Sequence, residues 1–313
     1  MLHDLMKTDR QKGYAAAVFF SVLVGFSFLG IKVCQNYTDS LSVLCYRYDF
    51  AFAALMILMA LRVVKVEIRE KPKTKLMLTA GFYVGFMALQ VVGLAYSTSV
   101  EGSIMFALVP IIVKIIASFF LGEKSTWKEN CFVGFTVAAL VLMIAMGATD
   151  ISIDPLGTVL LLLSSVSMAL SNIFMRYTKD DYKPIEKTFA IVIMGFIAFN
   201  IAAVVKGFIC DYTIVDYFQP LTIPHVFIAG GYLGIGCILL SAQLMSYMMT
   251  KMEAVKATIF GNVSTAISIV AGVVILGEPL RWYHLLCTVV IIAGVVGLSL
   301  SGGGEDANEG ENG

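Results

Sequence analysis

Ten stretches of about 20 mostly apolar residues, joined by short polar links, leave this chain few folds to choose from. They are 14–34, 41–61, 76–96, 102–121, 129–147, 157–176, 187–206, 225–248, 255–276 and 283–301. About 20 such residues, rising 1.5 Å each, carry a helix across the hydrocarbon of a bilayer. The runs are continuous, whereas barrel strands alternate, so helices are expected. Of 313 residues, 58% are hydrophobic and 14% charged, against roughly 25% charged in a soluble domain. A soluble core of this size cannot hide so much apolar surface. The expected fold is all-α and integral to the membrane, and a water-soluble enzyme is excluded. With 22 basic and 22 acidic residues, the chain has no electrostatic pull toward nucleic acid.

Short links force successive helices to run antiparallel. Basic residues then orient the bundle, because they collect on the cytoplasmic side. With ten spans, nearly every lysine and arginine of the links falls on the side of the N-terminus, including Arg62, Lys65, Arg69, Lys71, Lys73, Lys75, Arg176, Lys179 and Lys183. Only Lys206 and Arg281 fall opposite. Both termini are therefore expected in the cytoplasm and the chain in the cell membrane. The first apolar run is longer than a secretory leader and has no small-residue cleavage site after it, so it reads as a retained span. The tail 302–313, glycine-rich and acidic, reads as disordered. The six cysteines lie too far apart for a zinc pattern, and no metal or other cofactor is expected.

The sequence repeats itself. Leu121-Gly122-Glu123 returns as Leu276-Gly277-Glu278, and Trp127 returns as Trp282, at an offset of 155. Gly13, Ser21, Ser27 and Lys32 return as Gly157, Ser165, Ser171 and Arg176 at an offset of 144. The chain divides into two five-helix halves, 1–150 and 151–301. Five is odd, so the second half enters the membrane from the opposite face. Inverted repeats of this kind are a transporter architecture that can open to either side in turn.

The two Leu-Gly-Glu copies, Pro110 thirteen residues before Glu123, Arg47 early in the second span, and the basic ends Lys32 and Arg176 resemble the EamA type of the drug/metabolite transporter superfamily. The resemblance covers residues 13–301. It implies ten helices around a central cavity and carriage of small metabolites, amino acids or drugs without ATP. The second half departs from the pattern, with Thr265 where the family often has proline, so the ninth helix is expected to be the straighter one.

Lys114 is the most unusual residue, a charge near the middle of the fourth span. At that depth it costs about 2.5–3.5 kcal/mol and usually serves function. It either faces a cavity or snorkels to the cytoplasmic face. The polar residues Ser21, Gln90, Asn172, Gln243, Asn262 and Thr265 lie at comparable depth, since unpaired polar groups avoid hydrocarbon, and with Tyr83, either an aromatic wall or core packing, they complete the candidate substrate-binding set. Asp49 and Arg47 are the coupling candidates. They are two residues apart, do not face each other on a helix, and need separate partners. Asp49 is either a proton-binding carboxylate or a structural partner, and Arg47 is either part of that site or an anchor. Pro110 removes a backbone bond and is the expected kink or gate. Gly122, Glu123, Gly277 and Glu278 read as structural turns whose carboxylates cap a following helix.

The expected function is secondary-active transport, by alternating access and in the export direction, of small metabolites such as amino acids or other amphipathic solutes. The alternative is a proton-coupled uptake carrier. A receptor or an enzyme is less favoured, since the chain has three histidines and no HExxH, GxSxG or GxxxxGK[ST] pattern. No pore-loop pattern speaks for a channel. Small residues four apart, such as Gly134/Ala138 and Ala293/Gly297, suit close helix packing within a half or in a homodimer.

Overall fold

The computed structural model describes residues 2–68, 73–121, 154–210, 213–251 and 254–302, with scattered positions between 127 and 142. Gly122, Glu123, most of the expected fifth span and the tail from 303 lie outside the described residues. The helices are α1 (Leu2–Gly25), α2 (Ser27–Gln35), α3 (Ser40–Ala60), α4 (Thr74–Ala95), α5 (Ser99–Phe106) and α6 (Val109–Leu121). After these come α7 (Pro155–Tyr177), α8 (Pro184–Cys210), α9 (Ile214–Phe218) and α10 (Pro224–Gly231). A π-helical segment (Tyr232–Leu240) leads into α11 (Ser241–Lys251), then α12 (Ala254–Leu276) and α13 (Trp282–Gly302). Seven stretches among the described residues are long and apolar enough to cross a membrane: 15–35, 40–60, 74–95, 99–116, 155–177, 184–210 and 224–251. Two shorter apolar stretches, Phe260–Leu276 and Trp282–Gly294, lie within α12 and α13.

Local chemistry sets where the helices start, stop and bend. Asp39 caps α3 by accepting from the backbone N–H groups of Leu41 and Ser42, and Thr98 with Glu101 forms a reciprocal capping box on α5. The fourth span breaks at Ala107–Leu108, two residues before Pro110. Proline has no N–H to donate back to Phe106, and the chain tightens there into i−3 bonds such as Leu108 N–H to Met105 C=O at 3.2 Å. The helix α12, with Thr265 at the matching position, runs unbroken. It ends at Gly277, whose φ of +66° only glycine adopts without strain, and the Glu278 N–H returns to the Gly272 carbonyl at 3.1 Å.

Two packing arrangements organise the bundle. The helices α4 and α7 lie antiparallel along their whole length. Gly93 abuts Leu161, Ser167 donates to the Phe82 carbonyl (2.7 Å), Ser171 donates to Thr79 (3.0 Å), and Lys75 sits over the Tyr177 ring. The helices α1 and α12 run parallel, joined by Ser21 to the Phe260 carbonyl (2.7 Å) and Ser268 to the Gly25 carbonyl (2.5 Å). Serine hydroxyls thus serve as cross-helix ties, which satisfies each polar group inside the protein.

The two ends of the bundle differ in charge. At one end Glu67 pairs with Lys183 (3.6 Å), Lys75 meets Tyr177, and Arg176 donates to the Met249 carbonyl (2.6 Å). This end gathers Arg62, Lys65, Lys73, Lys179 and Lys251. At the other end Asp39 pairs with Lys206 (2.8 Å), Tyr46 reaches the Tyr217 carbonyl (2.5 Å), and Glu278 accepts from Ser99.

Candidate functional site

Inside the bundle a cavity of about 20 Å³ is walled by Phe20, Val24, Phe86, Met87, Phe106 and Met168. Its polar lining is Ser27, Arg47, Tyr83, Gln90, Cys237 and Ser241. That volume holds about one water, so the centre is nearly closed in this conformation. Residues from α1, α2, α3, α4, α5, α7, the π segment and α11 converge there. Arg47 is 1% exposed. Glycine brings it in: a Cβ on Gly234 would lie 2.5 Å from the Arg47 carbonyl and 2.7 Å from Phe50 Cβ, so only glycine lets the π segment press this close to α3. The wider π turn also puts Tyr232 and Cys237 on one face, and both donate to the Leu23 carbonyl. Tyr83 and Ser241 approach each other across the cavity at 3.5 Å, and Ser241 also donates to the Cys237 carbonyl at 2.7 Å. The Nε and Nη1 of Arg47 have no hydrogen-bond partner.

Contacts around this centre come in matched pairs. Ser21 of α1 donates to the Phe260 carbonyl of α12, and Ser165 of α7 donates to the Met105 carbonyl of α5 (2.9 Å). Lys32 of α2 donates to the Leu94 carbonyl at the end of α4 (2.5 Å), and Arg176 of α7 donates to the Met249 carbonyl at the end of α11. In both cases the donors differ by 144 positions and the acceptors by 155, the two offsets of the sequence repeat. Because α4 and α7 are antiparallel, the two basic contacts sit at opposite ends of the bundle.

The EamA-like transporter family matches residues 11–145 and again 155–300. The chain belongs to this family. An uncharacterized transporter of Bacillus subtilis (strain 168), YcxC, is 33% identical over 95% of this chain and 96% of its own length. A second from the same organism, YyaM, is 21% identical over 90% and 92%. A crystal structure of a protein covers 94% of this chain and 96% of that one with a TM-score of 0.61 at 14% identity, a likeness of fold. The chain is thus a multi-pass membrane transporter, and its family and relatives indicate transport in place of catalysis.

The structure distributes the residues singled out in this transporter's sequence. Arg47, Tyr83 and Gln90 come together at the cavity. Lys114 is half-buried on α6 and does not line it. Ser21 and Thr265 tie helices, Thr265 donating to the Ser103 carbonyl at 3.0 Å. Gln243 accepts from Thr188 at 3.2 Å. Asn172 and Asn262 are buried, away from the cavity lining, with both amide atoms unpartnered. Asp49 points away from Arg47's cavity and accepts from Asn200 Nδ2 (2.8 Å) and from the Tyr217 hydroxyl. Pro110 is buried just beyond the break in the fourth span. Glu278 does not cap the following helix, as the sequence suggested; it accepts from Ser99 N–H (2.9 Å), Ser99 Oγ (2.6 Å) and Val100 N–H (3.1 Å) and so caps the distant α5. Sequence reasoning missed Ser241, Cys237 and the Phe and Met walls, since nothing in their type separates them from packing. Ser27 carried a signal in its repeat match to Ser171.

Proposed function

We propose that this transporter is a secondary-active carrier of small amphipathic metabolites, built as ten helices in two inverted repeats, 1–150 and 151–301, that alternate in opening the central cavity to either side. The observation that carries this reading is the matched pair Ser21–Phe260 and Ser165–Met105. Each half ties the start of its own bundle to the other half's fourth span, so the two ties are interchangeable. A bundle held by equivalent contacts at both ends has two packings of similar energy, which is what alternating access requires. The double match of the family and the Lys32 and Arg176 contacts at opposite ends support the same reading. The charge of the Glu67–Lys183 end supports placing that end, and both termini, in the cytoplasm.

The test is flux. Proteoliposomes are loaded with a metabolite mixture and efflux is followed by mass spectrometry. A carrier gives saturating efflux of a subset of solutes, accelerated by the same solute outside. Linear efflux without that acceleration points to a channel, and no efflux to a receptor.

A further inference from the structure

The cavity constrains the chemistry of the solute, an inference that rests on the carrier reading above. Arginine keeps its charge in proteins, and a buried charge without a partner costs several kcal/mol. Other cations of this bundle meet that cost with the free carbonyls at helix ends. Lys32 donates to Leu94, Arg176 to Met249, and Lys187 to Met175 (2.8 Å). Arg47 does not. It is buried, its Nε and Nη1 are unpartnered, and among the described residues it makes no ion pair. Asp49, the nearest acid along α3, is engaged by Asn200 and Tyr217. The cavity beside it, about 20 Å³, has room for a neutral group the size of one water and offers no countercharge.

We infer that the transported solute is a small monocarboxylate with an apolar body, its carboxylate held by Arg47. The guanidinium fork pairs with a carboxylate, and its single charge balances one carboxylate while leaving a phosphate dianion one charge in excess. The aromatic and methionine walls suit an apolar body, and Gln90 and Tyr83 add neutral hydrogen bonding. Among the described residues no carboxylate lines the cavity, so the ammonium of a free amino acid would meet only neutral oxygens there. The solute therefore lacks a charged amine.

Two matched trios test this with purified protein: 3-phenylpropionate, phenylalanine and 3-phenylpropionamide; and 4-methylpentanoate, leucine and 4-methylpentanamide. A bound ligand raises the melting point by mass action. The acid of at least one trio is expected to raise it, and its amino acid and amide are not. Arg47→Gln is expected to abolish the shift, and Arg47→Lys, which keeps the charge and loses the planar fork, to reduce it. Equal shifts within a trio, an undiminished shift in folded Arg47→Gln, or no shift with either acid overturns the inference. If Arg47→Gln does not fold, the comparison within each trio on the wild type decides. Stabilisation by the acid without saturating flux in proteoliposomes overturns the carrier reading and leaves the anion site standing. Saturating flux of solutes regardless of charge does the reverse.

Discussion

Among single residues, carboxylates at helix starts do much of the structural work. Asp39 caps α3 and is exposed, its side chain 42% accessible. Burial alone would raise its pKa, but hydrogen bonds from Lys206 (2.8 Å) and Ser42 outweigh that and hold it below the ordinary 3.8. A carboxylate lowered by folding contributes stability above its unfolded pKa, and that contribution is lost as pH falls through the folded value. Melting curves are expected to fall in temperature below about pH 4, the unfolded Asp range, and Asp39→Asn to flatten that acid limb. Asp39→Ala also removes the cap, at a cost of about 1 kcal/mol. Glu278 holds three donors on α5 in the same way, so Glu278→Ala is expected to cost a similar ~1 kcal/mol, and Glu278→Gln less because it keeps an acceptor. Asp49 poses a functional question. If it relays protons, Asp49→Asn abolishes the pH dependence of flux. If it only holds Asn200 and Tyr217, the variant lowers the melting point and leaves that dependence intact.

At the level of elements, the two stretches that match the family, 11–145 and 155–300, depart from each other in their backbones. The first stretch has a break before Pro110, where the second has continuous α12. The second stretch has the π segment 232–240, where the first has regular α4. Both irregularities border the cavity, through Phe106 and Cys237. Pro110→Ala restores an N–H that can bond the Phe106 carbonyl and lets α5 and α6 join. The expected outcome is a melting point at or above that of the wild type with slower counterflow, because a stiffened helix resists repacking. Counterflow at the wild-type rate would show that the break is only a packing accommodation. Gly234→Ala places a methyl within 2.5 Å of a backbone carbonyl. It is expected to cost about 1–3 kcal/mol as overpacking and to displace Arg47, so flux falls more than the melting point alone accounts for.

For the whole molecule, the charge division of the two ends is the property most open to direct measurement. Glu67 and Lys183 are both well exposed, 68% and 64%, so their ion pair contributes little energy; its value is as a marker. Cysteines at 67 and 183 are expected to react together with a membrane-impermeant reagent from the cytoplasmic side, and cysteines at 39 and 206 only from outside. Labelling of 67 and 183 from opposite sides would remove the inverted arrangement.

Much of this fold was legible from the sequence because bilayer thickness imposes a length of apolar chain that shows without any tertiary information. The helices near 41–61, 76–96 and 157–176, the kink before Pro110 and the straight helix through Thr265 follow from span length and from the missing proline N–H. Gln90 was legible as a polar group at depth, and Tyr83 as an aromatic wall or core packing. The rest depended on which groups meet across hundreds of positions. Lys114 carries the stronger signal of unusual charge, yet it stands off the cavity, while Arg47 carries the weaker signal and sits in it. Sequence registers the cost of placing a charge at a given depth; only packing decides whether a neighbouring carbonyl is there to meet it, as for Lys32 and Lys187, or whether none among the described residues reaches its Nε and Nη1, as for Arg47.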